Sequence, residues 1–145
     1  FHLKLGTKLL TMDAATTLKN HDLRVTKIRL AILEALGDGH QAKPYGELQA
    51  TLSDFDRTTL YRTLLALIEK GLIHKALEEN GESYYALCGG CTTHAHTHDH
   101  IHFKCNDCGT VECLHLSNEI GFSLPGVAID SLEITAKGTC GACSA

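Results

Sequence analysis

Apolar positions recur at helical spacing in the first half of the chain and at alternating spacing in the second. Ile28, Ile32, Leu33 and Leu36 fall on one helical stripe, opened by Thr26 as an N-cap and stopped by Gly37. A short helix is predicted over about 13–21, ahead of that one. Pro44 suits the first turn of a third helix that carries Leu48 and Leu52. Asp56 caps a fourth, residues 57–70, with Leu60, Leu64, Leu67 and Ile68 on one stripe and Gly71 closing it. Two strands follow, 72–77 and 82–87, joined through Glu79-Asn80-Gly81, and Asn-Gly between apolar runs is a strong hairpin signal. Helices followed by a β-hairpin predict a winged helix-turn-helix.

From Cys88 onward the character changes to Gly-rich, His-rich and then β. Strands are predicted at about 98–104, 109–114 and 127–137, with a short helix near 115–121. The overall class is α+β: a winged helix-turn-helix domain over 12–87, a His/Cys-rich segment over 88–97 and a small zinc-stabilised α/β domain over 98–145. Each half is too small to be comfortably stable on its own core, so a metal cross-link or dimerisation would supply the difference.

The candidate chemistry is concentrated in the second half. Cys105-Asn-Asp-Cys108 and Cys140-Gly-Ala-Cys143 are two Cys-x-x-Cys pairs, which together offer the four thiolates of a closed tetrahedral zinc site. A redox pair is the competing reading, and two matched pairs weigh against it. His94, His96, His98, His100 and His102 run into the first pair at alternate positions. In an extended strand they share a face, and Ile101 and Phe103 point the other way, towards a core. His94, His96 and His98 fit a metal-scavenging stretch better than fixed ligands, and Cys113 reads as a core residue. Seven cysteines, with Cys105, Cys108, Cys140 and Cys143 in metal-type pairs, fit a reduced cytoplasmic setting rather than a disulfide framework.

Charge narrows the partners. Residues 1–87 hold 11 Lys and Arg against 11 Asp and Glu, and residues 88–145 hold 2 against 6. A strongly basic footprint for nucleic acid is absent, so DNA contact must come from a local patch. The fourth helix offers one: Arg57, Thr58, Thr59 and Arg62 face outward near its N-terminus with Tyr61 on the flank, all residue types that read phosphates and bases. A merely solvated helix face is the plain alternative. No apolar run approaches a membrane span of about 20 residues, and residues 1–10 lack the pattern of a signal peptide.

The ordered set of motifs resembles the ferric uptake regulator family of metal-responsive repressors. Leu23-Arg24-Val25-Thr26-Lys27-Ile28-Arg29, Thr58-Thr59-Leu60-Tyr61-Arg62, Gly81-Glu82-Ser83-Tyr84-Tyr85, His98-Asp99-His100 through Cys105-Asn-Asp-Cys108-Gly109 and the closing Cys140-x-x-Cys143 carry the match, over about 20–143. The resemblance implies a homodimer that binds operator DNA when its metal sites are filled, with 88–97 as its hinge and 98–145 as its dimerisation domain. It is nearest to the zinc-uptake-regulator branch, whose hinge ligands fall here on His74, Cys88, His100 and His102. One sulfur and three nitrogens suit Zn²⁺. It implies one structural and at least one regulatory zinc per chain, with no membrane or small-molecule partner. Cys91 stands near Cys88 as a substitute, and His40 lies where some members place a ligand. A further family site would fall on Asp99 and Ile101. Isoleucine cannot ligate, so that site is expected to be absent or rebuilt from His98, His115 or Glu119. The interval from Cys108 to Cys140 is also shorter than the family's, cutting its long helix to about 114–119.

An iron or peroxide sensor of the same family is the nearest alternative, followed by a zinc buffer or adaptor that does not bind DNA. A zinc enzyme, with Glu112 as its base, lacks any supporting signature, so no enzymatic activity is expected.

Overall fold

The computed structural model describes residues 14–37, 41–87, 100–115, 123–129 and 133–145. The helices are α1 over 14–20, α2 Lys27–Leu36, α3 Tyr45–Thr51, α4 Arg57–Glu69 and α5 Gly141–Ser144. The strands are β1 Gln41–Pro44, β2 Ile73–Glu79, β3 Glu82–Leu87, β4 His100–Cys105, β5 Val111–His115 and β6 Thr135–Gly138.

Helix boundaries follow their caps. The Thr26 hydroxyl accepts the Arg29 amide at 3.4 Å, and the Asp56 carboxylate accepts the Thr59 amide at 3.0 Å. Pro44 is the N-cap of α3 rather than its first helical residue, because it also ends β1. With no capping side chain of its own, α3 takes one from 36 residues away: Glu82 of β3 accepts the Gly46 amide at 2.8 Å. A carboxylate there also offsets the positive end of the helix.

The larger core forms where α1 to α4 pack on the β2–β3 hairpin. Leu18, Ile32, Leu64 and Leu67 are fully buried, joined by Leu36, Leu48, Leu60, Ile73 and Tyr85. The hairpin turns through Asn80 and Gly81, both at positive φ (54° and 78°), as a tight two-residue turn requires.

A six-stranded sheet, in the order β2-β3-β1-β5-β4-β6, joins the two halves. The shared element is β1, which the sequence pattern did not reveal. Lys43 and Pro44 pair with Tyr85 and Tyr84 of β3, while Gln41 and Ala42 pair with Glu112 and Val111 of β5. The sheet curls until β2 faces β4 and β5 across a small second core of Ala42, Ala76, Ala86, Val111 and Cys113. Three alanines leave room for this close approach. A bulge between Lys75 and Leu77 turns both Ala76 and Leu77 to that core.

Several expected boundaries move. The strands set at about 98–104 and 109–114 are β4 and β5, and β5 extends through His115, where a helix was expected to begin; residues 116–122 lie outside the described residues. Of the strand expected over 127–137, Thr135–Gly138 is what pairs among the described residues, and 127–129 are exposed and unladdered. Ile101 and Phe103 are half-buried rather than core. The opposite face of β4, with His102 and Lys104, is the one turned towards β2.

Candidate metal centres and nucleic-acid interface

The two Cys-x-x-Cys pairs meet because β4 and β6 run parallel. Cys105 is in register with Gly138, so both strands deliver their following turns to the same end of the sheet. The first turn is closed by the Gly109 amide on the Cys105 carbonyl at 3.0 Å, with Gly109 at φ 74°. The second is the single turn of α5, where the Cys143 amide bonds the Cys140 carbonyl at 3.1 Å. The Sγ atoms of Cys105, Cys108, Cys140 and Cys143 all lie within 4.8 Å of one another, with Cys108 and Cys140 3.8 Å apart. Tetrahedral zinc at a Zn–S bond of about 2.3 Å separates its sulfurs by about 3.8 Å.

The electrostatics of this cluster point to a cation. Backbone amides of Cys108, Cys140 and Asp107 converge on Cys105 and bring its thiol down to about 6. The Thr110 hydroxyl and amide lower Cys108. Cys143, set among its three sulfur neighbours, is pushed up to about 12. The fold thus favours thiolate at Cys105 and Cys108 and opposes it at Cys143, where ionisation calls for a compensating positive charge.

A second constellation lies between β2 and the C-terminal strands. His102 and Cys113 are directly opposite one another across β4 and β5, so they share a face. The curl of the sheet brings His74 of β2 onto that pair. The Nε2 atoms of His74 and His102 are 3.1 Å apart, their rings stack with centroids 5.1 Å apart, and Cys113 Sγ is 3.6 Å from His74 Nε2. All three donor atoms lie within 4.8 Å of one another. Zinc bonds of about 2.05 Å to nitrogen and about 2.3 Å to sulfur give tetrahedral edges of about 3.3 Å for N–N and about 3.6 Å for N–S. The donor set fits. Burial pushes the Cys113 thiol up to about 11.

Of the expected hinge ligands, His74 and His102 are therefore brought together. His100 lies in β4 in register with His115, and Cys88 is outside the described residues, as are Cys91, His98, Glu119, His40, Asp99, His94 and His96. Cys113 is buried, as expected of a core residue, and it also faces both imidazoles. The signal available in the sequence was its place on a strand next to the histidine strand. Its sheet neighbour was not readable without the register. Glu112 is in register with Phe103 and Gln41, not with the imidazole-bearing positions.

The nucleic-acid candidates lie together on α4. Leu60, Leu64 and Leu67 are buried, leaving Arg57, Thr58, Thr59, Tyr61 and Arg62 exposed along the N-terminal turns. Thr59 is engaged with the Asp56 cap through both its amide and its hydroxyl. Tyr61 meets Tyr45 of α3 edge-on, with ring centroids 6.2 Å apart. An exposed, capped helix with cationic and aromatic side chains near its N-terminus is suited to a major groove.

Residues 20–120 match the model of the ferric uptake regulator family. The chain belongs to that family. It is 30% identical to the transcriptional regulator FurA of Mycobacterium tuberculosis over 91% of this chain and 90% of that protein. It is 33% identical to the ferric uptake regulation protein of Escherichia coli K12, covering 86% and 78%. A zinc uptake regulator solved with zinc and DNA superposes with a TM-score of 0.65 at 25% identity, covering 95% of each chain. The chain is accordingly a metal-responsive transcriptional regulator of this family and not an enzyme. Among the described residues no helix is long and apolar enough to cross a membrane.

Proposed function

We propose that this ferric uptake regulator family member is a zinc-responsive repressor, cytoplasmic and homodimeric, that binds operator DNA when a metal site between its halves is filled. The single observation that carries the reading is the His74, His102 and Cys113 cluster, which spans from the wing hairpin to the C-terminal strands. Two imidazoles and a thiolate favour zinc, whereas iron and manganese sites lean on oxygen donors.

The proposed division is a DNA-binding unit over 12–87, a hinge over 88–97 and a dimerisation unit over 98–145. Cys105, Cys108, Cys140 and Cys143 would hold a structural zinc that contributes folding energy. His74 and His102, with Cys88 and His100 as expected partners and Cys113 added by geometry, would hold the regulatory one. Bound Zn²⁺ supplies a double positive charge and directed bonds to these donors. His74 then fixes β2, and with it α4, relative to β4 and β5. Arg57, Thr58, Tyr61 and Arg62 would contact DNA, with a coupling between metal and DNA of about 1–3 kcal/mol.

The test is a mobility shift on palindromic AT-rich duplexes with protein that keeps its structural zinc. Added Zn²⁺ should tighten binding by about 5–150-fold, and Fe²⁺ or Mn²⁺ far less. A response to Fe²⁺ alone would make this an iron sensor. No duplex affinity under any metal would leave a zinc buffer.

A further inference from the structure

The wing hairpin carries the wrong charge for a reader of DNA. Its tip, Glu78-Glu79-Asn80-Gly81-Glu82, holds three carboxylates and no cation. Each carboxylate is engaged within the chain. Glu78 pairs with Lys75 at 2.9 Å, Glu82 accepts the Gly46 amide at 2.8 Å, and Glu79 reaches across to the C-terminal strands. There it pairs with Lys104 of β4 and, at 2.9 Å, with Lys137 of β6. Lys104 and Lys137 are in register on those parallel strands, so their ammonium groups approach one carboxylate together. They are the only two Lys or Arg residues after residue 87.

Position along β2 gives this ion triad its meaning. His74 lies near one end of the strand and Glu79 at the other, and both contact β4, at His102 and Lys104 respectively. The bulge between Lys75 and Leu77 brings Glu79 back to the same side as His74 despite the odd spacing. Between them the small alanine core seals the gap.

We propose that the β2–β3 wing is a clasp between the two halves rather than a DNA-contacting element, closed at its tip by Glu79 on Lys104 and Lys137. The clasp is independent of metal. It holds β2 against β4 before the imidazoles and Cys113 are bridged, which raises the apparent affinity of that site by keeping its donors assembled. This last consequence rests on the regulatory-site reading above, whereas the clasp itself does not.

The test compares wild type, Glu79→Gln, Lys137→Met and the double variant as full-length dimers carrying the structural zinc. Hydrogen exchange of the β2–β3 amides reads the clasp directly. Both single variants should exchange about two- to fivefold faster, and the double variant no faster than Glu79→Gln. Zinc competition then reads the consequence, with apparent affinity weakened by a similar factor in Glu79→Gln. DNA affinity and its salt slope at saturating zinc should match wild type. Removing a carboxylate from a wing lying against phosphates would instead tighten binding. Unchanged exchange in both single variants, or tighter DNA binding by Glu79→Gln, would overturn the clasp. If wild type shows no zinc-dependent DNA binding, the switch reading fails while the exchange data still decide the clasp.

Discussion

Replacing Cys113 by serine isolates the sulfur that no Cys-x-x-Cys pair supplies. Its thiol is pushed up to about 11 by burial, so at pH 7.5 it is protonated in the metal-free fold. Removing that proton costs about 5 kcal/mol, from roughly 3.5 pH units at about 1.4 kcal/mol each. Metal binding must supply this and must release the proton. The sign follows: affinity rises with pH, by a factor of ten per unit from this group alone for as long as the pH stays below about 11. Between pH 7.5 and 9 the contribution is about 30-fold. Serine has no proton to surrender in this range, so the slope of log affinity against pH should be one unit smaller in Cys113→Ser, whatever other donors add. The variant should also bind at least about tenfold more weakly at pH 7.5, since even an indirect partner of a metal ligand is worth that much. The assay is competition with a chromophoric chelator across the pH range, using protein that retains its four-thiolate zinc. Counting protons released per zinc in weak buffer is the independent check. Equal slopes and equal proton counts in the two proteins would show that Cys113 does not bind metal, and the cluster would then reduce to a packed core.

The remaining predictions concern the other elements. Cys105→Ser should lose the structural zinc and aggregate or unfold, seen as a missing metal equivalent and lost thermal transition; a monodisperse, normally stable variant would contradict the structural role. Arg62→Ala should weaken DNA binding and lower the salt slope by about one without changing metal content. Leu64→Ala, at a fully buried position of α4, should lower stability by about 2–5 kcal/mol in denaturant unfolding of the zinc-loaded dimer. Glu82→Ala removes the side chain that caps α3 among the described residues and should cost about 0.5–2 kcal/mol, with the amides of residues 45–47 exchanging faster.

Local chemistry was enough to read much of this molecule from its sequence. Thr26 and Asp56 opened helices, Gly37 and Gly71 closed them, and Asn80-Gly81 turned the hairpin, because caps and positive-φ turns are decided by residues adjacent in the chain. The four-cysteine cluster was equally legible, since each Cys-x-x-Cys turn presents its own pair and only the meeting of the two pairs required folding. The exposed face of α4 followed from the buried one. Three features depended on the tertiary structure. A four-residue strand with one proline, β1, has too little pattern to be seen, yet its pairing with both β3 and β5 makes the sheet continuous. Cys113 joins His74 and His102 through a cross-strand register and the curl of a sheet, neither of which periodicity records. Glu79 finds Lys104 and Lys137 at separations of 25 and 58 residues. Sequence fixes what is local because propensity and capping act over a few residues. Which strand lies beside which is decided by the energy of closing the whole sheet on its cores.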